Sequence, residues 1–389
     1  MSEGPGATAH RAVTVRGPLS DARASEQARG DHHAAPLAAA SWLLTTAMDL
    51  HRMAGALAEG LTAESGDDAE AVARLTSRWT SLHRDGGPPA EHTRLEALVE
   101  IRRPRTRRPA LLWQWSGADP VAALAASSGR LARELVAVSQ AAPLAEAFVG
   151  PVVLAPETAV HFVHETLGHS LEADNYRDYA AGCGLVVGST VAGPQLTVVD
   201  GPLPGLETSR PRDDEGHTSR STPLVEAGVV AGVLTDAREA RRQRLPRTGN
   251  GRRAFGAAEA LPRMSALHVA RGTTPHAELV RPVRHGLYCR GAWGGGSVEE
   301  FFVVRPACAE WIEDGELTGR FVYGFDVKGR KISGLGALGS VGDDMGVFNP
   351  VTGCGKYGQE LPVSMRSPSL AFDRLCAVPI APASPSPPP

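Results

Sequence analysis

The chain is short of lysine, of cysteine and of net charge, and each shortage excludes something. Lysine stands only at Lys328, Lys331 and Lys356 among the 40 basic residues of this 389-residue sequence, and 43 acidic residues leave a formal net charge of −3. A near-neutral chain lacks the positive field that draws in nucleic acid or an anionic membrane, so neither is expected as a partner. The arginine-for-lysine bias, beside abundant Ala, Gly and Pro, reads as coding bias and carries no functional weight. Five cysteines are too few for a disulfide scaffold, and the odd count leaves at least one thiol free or bound. No apolar run approaches the roughly 18 residues of a membrane span, and the first 30 residues hold no stretch resembling a signal peptide. The expected compartment is the cytoplasm, where thiols stay reduced and serve as ligands or nucleophiles.

What is present is enough for a sizeable core: 42% of residues are hydrophobic. The expected fold class is α+β, a shortened, helix-rich N-terminal domain followed by a β-rich domain, with the chemistry at their junction. Residues 1–33 are polar and expected to be disordered or loosely attached. Residues 34–147 read as helix-rich. Leu43, Ala47, Leu50, Ala54 and Leu57 share one helical face, and Asp119-Pro120 is an N-cap before a first-turn proline. A third, weaker helix is expected over 67–83. The arginines at 102, 103, 105, 107 and 108 read as an exposed loop. From 148 to 376 the texture is β-rich, with β-branched runs such as Val152-Val153-Leu154 and a hairpin signal at Asp314-Gly315. Residues 377–389 read as a Pro-rich tail.

One segment carries chemistry. Pro156 to Leu167 reads as a helix whose apolar stripe, Val160, Val163 and Leu167, includes His164. The run His164-Glu165-Thr166-Leu167-Gly168-His169 is H-E-x-x-x-H. At four residues' spacing two histidines on a helix lie about 40° apart, but at five they lie about 140° apart. Both reach one metal only if the helix widens into a π-type turn or ends at Gly168. Imidazoles suit Zn²⁺, and Glu165 could then take a proton from a metal-bound water. The bland alternative is a helix-surface pair of His161 with Glu165. A third ligand is left open by the residues alone, among Glu172, Asp174, Cys183, His217 and Cys354.

Longer stretches extend the pattern. From about Phe148 to Leu375 the chain resembles the TldD/PmbA family of metallopeptidases, in its TldD-like, metal-binding branch. The matching runs are 164–169 followed by Leu171-Glu172; Val198-Val199-Asp200-Gly201; Asp213-Asp214-Glu215-Gly216; Thr248-Gly249-Asn250-Gly251-Arg252-Arg253; Pro262-Arg263-Met264; Gly294-Gly295-Gly296; and Gly353-Cys354-Gly355-Lys356 with Gly358-Gln359 and Leu361-Pro362-Val363. The resemblance implies one Zn²⁺ held by His164, His169 and Cys354, with Glu165 as general base. It implies cleavage of small unstructured peptides, or of a peptide-like natural-product intermediate. It further implies a dimer, with a copy of the chain or with a TldE/PmbA-like paralogue that lacks the metal motif. A non-catalytic partner or scaffold is the alternative.

The other runs read more quietly. Asp213 to Gly216 is expected to be a charged turn whose carboxylates bond backbone N–H groups. Arg252 and Arg253 suit a substrate carboxylate or a structural ion pair. Gly294-Gly295-Gly296 suits a close backbone approach beside substrate. Cys289, Cys308 and Cys376 read as small hydrophobes, and Cys183 as the rival ligand. Three departures from the family pattern stand out: the N-terminal part is short, Ser170 occupies a position more usually glycine, and Arg253 is followed by Ala254-Phe255 rather than an acidic or hydroxyl residue.

Overall fold

The computed structural model describes residues 7–16, 23–29, 40–65, 70–82, 90–102, 109–116, 119–204, 206, 208–254, 257–349 and 354–380. The N-terminal part is a five-stranded sheet carrying two helices. Strands β1 (Ala7–Arg16), β2 (Arg23–Arg29), β3 (Glu70–Leu82), β4 (Ala90–Arg102) and β5 (Pro109–Ser116) pair in the order β2-β1-β3-β4-β5. Helices α1 (Ala40–Ser65) and α2 (Pro120–Gln140) share one core with them. Leu43, Ala47, Leu50 and Ala54 of α1 are fully buried, as their spacing predicts. Asp119 caps α2 by accepting from Ala122 N at 2.9 Å.

Three local expectations need correction here. The stretch read as a weak third helix is β3, paired along its length with β1 and β4. Ala71, Ala73, Leu75 and Ser77 turn one face of that strand into the core, while Val72 and Thr76 are buried on the other. Alanine favours helix intrinsically, but pairing on both edges overrides that preference. The second correction concerns residues read as loosely attached. β1 joins the sheet between β2 and β3, with Val13 and Val15 buried. The third is at the other end: residues 377–379 still belong to the strand Leu370–Pro379. Residues 381–389 of the tail and 103–108 of the arginine cluster lie outside the described residues.

From residue 142 onward two further sheets dominate. The larger has ten strands. Its path begins at an edge with Gly294–Val298, then runs through Phe301–Arg305, Phe325–Arg330, Leu370–Pro379 and β7 (Phe148–Leu154). It continues through His285–Arg290, Cys308–Glu313 and Glu316–Tyr323 to β6 (Ala142–Pro143). The expected hairpin at Asp314-Gly315 joins two of these strands, with φ of 45° and 83° at its two turn residues, the left-handed pair such a tight hairpin requires. The second sheet has six strands and includes Ala266–Val269, Ser364–Ser367 and Gly346–Phe348.

Helix α3 (Pro156–Val163) leaves β7 and packs against strands of both sheets. Its apolar side chains therefore enter a common core. Phe162 meets Phe302 and Phe372 edge-on, at centroid distances of 5.0 and 4.8 Å. Helix α2 is tied to the start of α3 by the Arg130–Glu157 ion pair at 2.8 Å. Among the described residues no helix is long and apolar enough to cross a membrane. Since Phe162 is 1% exposed and anchors the helix that leads into the site, Phe162→Ala should cost about 3–5 kcal/mol in urea unfolding. A cost below about 1 kcal/mol would mean that this contact does not hold α3 in place.

Candidate metal centre

The α3 hydrogen-bond ladder widens at its end. Residues His164–Gly168 form a π-helical turn, closed by the His169 N–H donating to the His164 carbonyl, five residues back. Of the two routes open to H-E-x-x-x-H, this is the first. A short 3₁₀ turn, His169–Leu171, then ends the helix. Gly168 packs tightly on Met264: a Cβ there would lie 2.1 Å from Met264 Sδ, so a larger residue would have to displace that side chain.

The widened turn brings the two imidazoles together, with centroids 4.8 Å apart and planes at 86°. Cys354, from the distant strand Cys354–Lys356, completes the group. Its Sγ lies 3.3 Å from His164 Nε2 and 3.0 Å from His169 Nε2. One ligand atom from each of the three falls within 4.8 Å of the other two. Two ligands on a tetrahedral zinc, one nitrogen and one sulfur, sit about 3.5 Å apart, so this donor set fits such an ion with slight expansion. Burial alone would raise the Cys354 thiol. The neighbouring His164 and His169, through charge and hydrogen bonds, bring it down instead to about 5, in the thiolate range a metal needs.

Around His169 the chain builds a charged clamp that the sequence did not disclose. Glu172 is fully buried and its Oε2 accepts from His169 Nδ1 at 3.0 Å, leaving Nε2 turned toward Cys354. Burial would raise the Glu172 carboxyl, but Lys356, His169 and Arg263 hold it well below the usual range. Lys356 Nζ donates to Glu172 at 2.9 Å, to Asp174, and to the Pro262 carbonyl at 3.2 Å. Arg263, also fully buried, donates to the backbone carbonyl of Cys354. Glu172 and Asp174, both candidate ligands on sequence, are instead paired with Lys356, and Glu172 also with His169. A carboxylate on the far nitrogen of a metal-binding histidine fixes its tautomer and orientation. Glu172 follows His169 by three residues and Lys356 follows Cys354 by two, but spacing alone does not show that the two side chains meet.

Glu165 faces a cavity of about 550 Å³ lined also by His164, His169 and Cys354. It is 6% exposed, and its Oε2 has no hydrogen-bond partner among the described residues. The edge strand Gly294–Val298 forms another wall. A Cβ at Gly295 would lie 2.8 Å from Glu165 Cγ and 2.9 Å from its Oε1, so glycine alone lets this strand approach the carboxylate. His161 does not pair with Glu165; its Nδ1 donates to the Glu157 carbonyl at 2.7 Å and its ring packs against Phe348. Cys183 lines the cavity but lies outside the three-residue group, and His217 and the 213–216 turn do not line it. Asp213 accepts from the backbone N–H of Glu215, His217 and Gly251, as a structural turn should. Arg252 is buried on the carbonyls of Met264 and Pro362 rather than on the cavity. Cys289 and Cys308 are buried, and burial pushes the Cys308 thiol up to about 12. Cys376 is only half-buried.

Three clustered soft and borderline donors, with a buried carboxylate beside them and an open cavity in front, have the composition of a hydrolytic metal site. Comparison with known proteins places the chain more closely. Residues 149–377 match the family described as PmbA/TldA metallopeptidase C-terminal domain, and the chain belongs to this PmbA/TldD family. The metalloprotease TldD homolog of Haemophilus influenzae is 32% identical over 242 residues, which are 61% of this chain and 50% of that one. The zinc metalloprotease TldD homolog of Saccharolobus solfataricus is 27% identical over 231 residues, 58% of this chain and 50% of that one. The chain thus spans about half the length of the curated relatives it matches. The crystal structure of TldE from Thermococcus kodakarensis shares the fold, with a TM-score of 0.69 at 16% identity over 96% of both chains.

Burial of His161 has a consequence for stability. Desolvation, set against the Glu157 hydrogen bond, lowers its pKa to about 4 from 6.5. The stabilising contribution is therefore complete above about pH 6.5 and is lost as pH falls toward 4, where only the unfolded chain takes up the proton. Between pH 7 and pH 5 the unfolding free energy should drop by about 2 kcal/mol on this account. His161→Gln should flatten that slope in paired denaturation curves; an unchanged slope would show that His161 does not carry it.

Proposed function

We propose that the chain is a zinc-dependent metallopeptidase or amide hydrolase acting on small, unstructured peptides or peptide-like molecules. The observation that carries this reading is the convergence of His164, His169, Cys354 and Glu165 on one cavity. The metallopeptidase family and the zinc metalloprotease name of one relative support it.

In this reading His164 and His169 hold the ion through Nε2, and Cys354 holds it as thiolate. Zinc bound there would polarise a scissile carbonyl and acidify a water. Glu165, unpartnered at Oε2, takes the proton from the attacking water and returns it to the leaving amine. Glu172 keeps His169 in the tautomer that presents Nε2. Among the described residues the Gly294–Val298 strand has a neighbour on one side only, and that edge offers backbone groups to an extended peptide, which would bind with modest side-chain selectivity.

Residues 148–376 are read as the catalytic unit. The proposed partner is a second chain of the same family, a copy or a paralogue without the metal motif. A reducing compartment such as the cytoplasm would keep Cys354 available. The alternative of a non-catalytic scaffold is disfavoured because a scaffold has no need of an unpartnered buried carboxylate beside the metal donors.

Glu165→Gln should leave zinc content near one per chain but lower peptide hydrolysis by about 10²–10⁴-fold. Gly295→Ala should also retain zinc and lose much of kcat, because its Cβ displaces Glu165. Hydrolysis undiminished in Glu165→Gln would rule out Glu165 as the base.

A further inference from the structure

The cavity contains two buried lysines with opposite accounts. Lys356 has three acceptors for its three N–H donors, two of them carboxylates. Lys331 is 4% exposed, yet among the described residues its Nζ has one hydrogen-bond partner, the neutral hydroxyl of Ser170 at 2.9 Å. No carboxylate among the described residues lies within 4.0 Å of it. An ammonium carries three donors; Glu165 and Glu300 act on it through charge, but neither reaches hydrogen-bond contact, and burial outweighs them.

That ammonium is not placed by chance flexibility. Lys331 opens the short helix Lys331–Gly336, and its backbone N–H donates at 2.7 Å to the Glu300 carbonyl. Glu300 sits in the two-residue turn after the edge strand Gly294–Val298, so the same hairpin that walls the cavity fixes the root of the side chain. Ser170, the residue after His169, positions the tip. Lys331 and Ser170 both line the cavity that contains Glu165 and the three metal donors.

Resting on the hydrolase reading above, we propose that Lys331, steadied by Ser170, is a specificity-determining anchor for a substrate carboxylate close to the bond that is cut. The charge pattern selects a monoanion. Glu165 and Glu299 also line the cavity, and Lys356 is already committed to Glu172 and Asp174, so away from the metal a phosphate dianion would find one available cationic side chain beside two carboxylates. A carboxylate completes the ammonium's donors with one charge. Burial, the largest influence on Lys331, lowers its pKa, and an incoming anion would restore the charged form. The carboxylate is either the C-terminus of a short peptide or an acidic side chain.

The test uses three dansylated probes on the zinc-loaded full chain: dansyl-tetraalanine as the free acid, the same peptide as its C-terminal amide, and an amidated peptide with one internal glutamate. Binding is read by fluorescence anisotropy in the Glu165→Gln form, with and without Lys331→Met, and cleavage is read in the wild type. The proposal expects the free acid or the glutamate peptide to bind at least about tenfold tighter than the plain amide. Lys331→Met should erase that difference, and Lys331→Arg should restore part of it. Preference for the free acid assigns a C-terminal carboxylate; preference for the glutamate peptide assigns a side chain. A thermal melt checks that Lys331→Met is folded, and Lys331→Gln is the second variant. Equal binding of all three probes, or a preference that survives Lys331→Met, overturns the anchor. Cleavage of all three peptides at equal kcat/KM overturns it while leaving the hydrolase reading intact. Absence of cleavage with zinc bound removes the hydrolase reading, and the binding comparison then decides the anchor by itself.

Discussion

One backbone hydrogen bond sets the geometry on which the site depends. The His169 N–H reaches the His164 carbonyl five residues back, and this single widened turn converts a spacing unsuited to a regular helix into one that aims both imidazoles at Cys354. A regular turn would rotate His169 away. At Gly168 the Met264 thioether occupies the space a side chain would take, so a larger residue there would have to displace it. The π-type closure needs a rigid helix before it, which Phe162 and the aromatic contacts between the two sheets provide.

The centre is then held from behind by charge. Glu172 orients His169, Lys356 and Arg263 compensate Glu172, and Arg263 also grips the backbone of Cys354. Each of these groups is buried and would be costly alone. Together they connect the helix that bears the histidines to the distant strand that bears the cysteine. In front, among the described residues, Glu165 Oε2 has no hydrogen-bond partner and the Lys331 ammonium has one, the Ser170 hydroxyl. The groups behind the centre are bound to one another by charge, whereas the Glu165 oxygen turns to the open cavity.

Much of this was readable in the residues. The helical face of α1, the Asp119 cap and the Asp314-Gly315 hairpin follow from local rules that the tertiary structure does not override. The dilemma of H-E-x-x-x-H could be posed from spacing alone, and a π-turn was one of its two solutions. Cys354 could not be found that way. It lies 185 residues from His169, and only resemblance to a family joined them. β3 was misread because Ala71 and Ala73 favour helix while their burial is decided by partners, β1 and β4, remote in sequence. The clamp around Glu172 and the isolation of Lys331 were illegible for the same reason: whether a buried charge is paired depends on which distant strand lies beside it.

X-ray absorption at the zinc edge of the purified, metal-loaded protein tests the central claim most directly. The account predicts about one zinc per chain with two nitrogen scatterers near 2.0 Å and one sulfur near 2.3 Å. It also predicts that the sulfur shell disappears in Cys354→Ser. A zinc surrounded only by nitrogen and oxygen in the wild-type chain, or a protein that retains no zinc under reducing conditions, would contradict it.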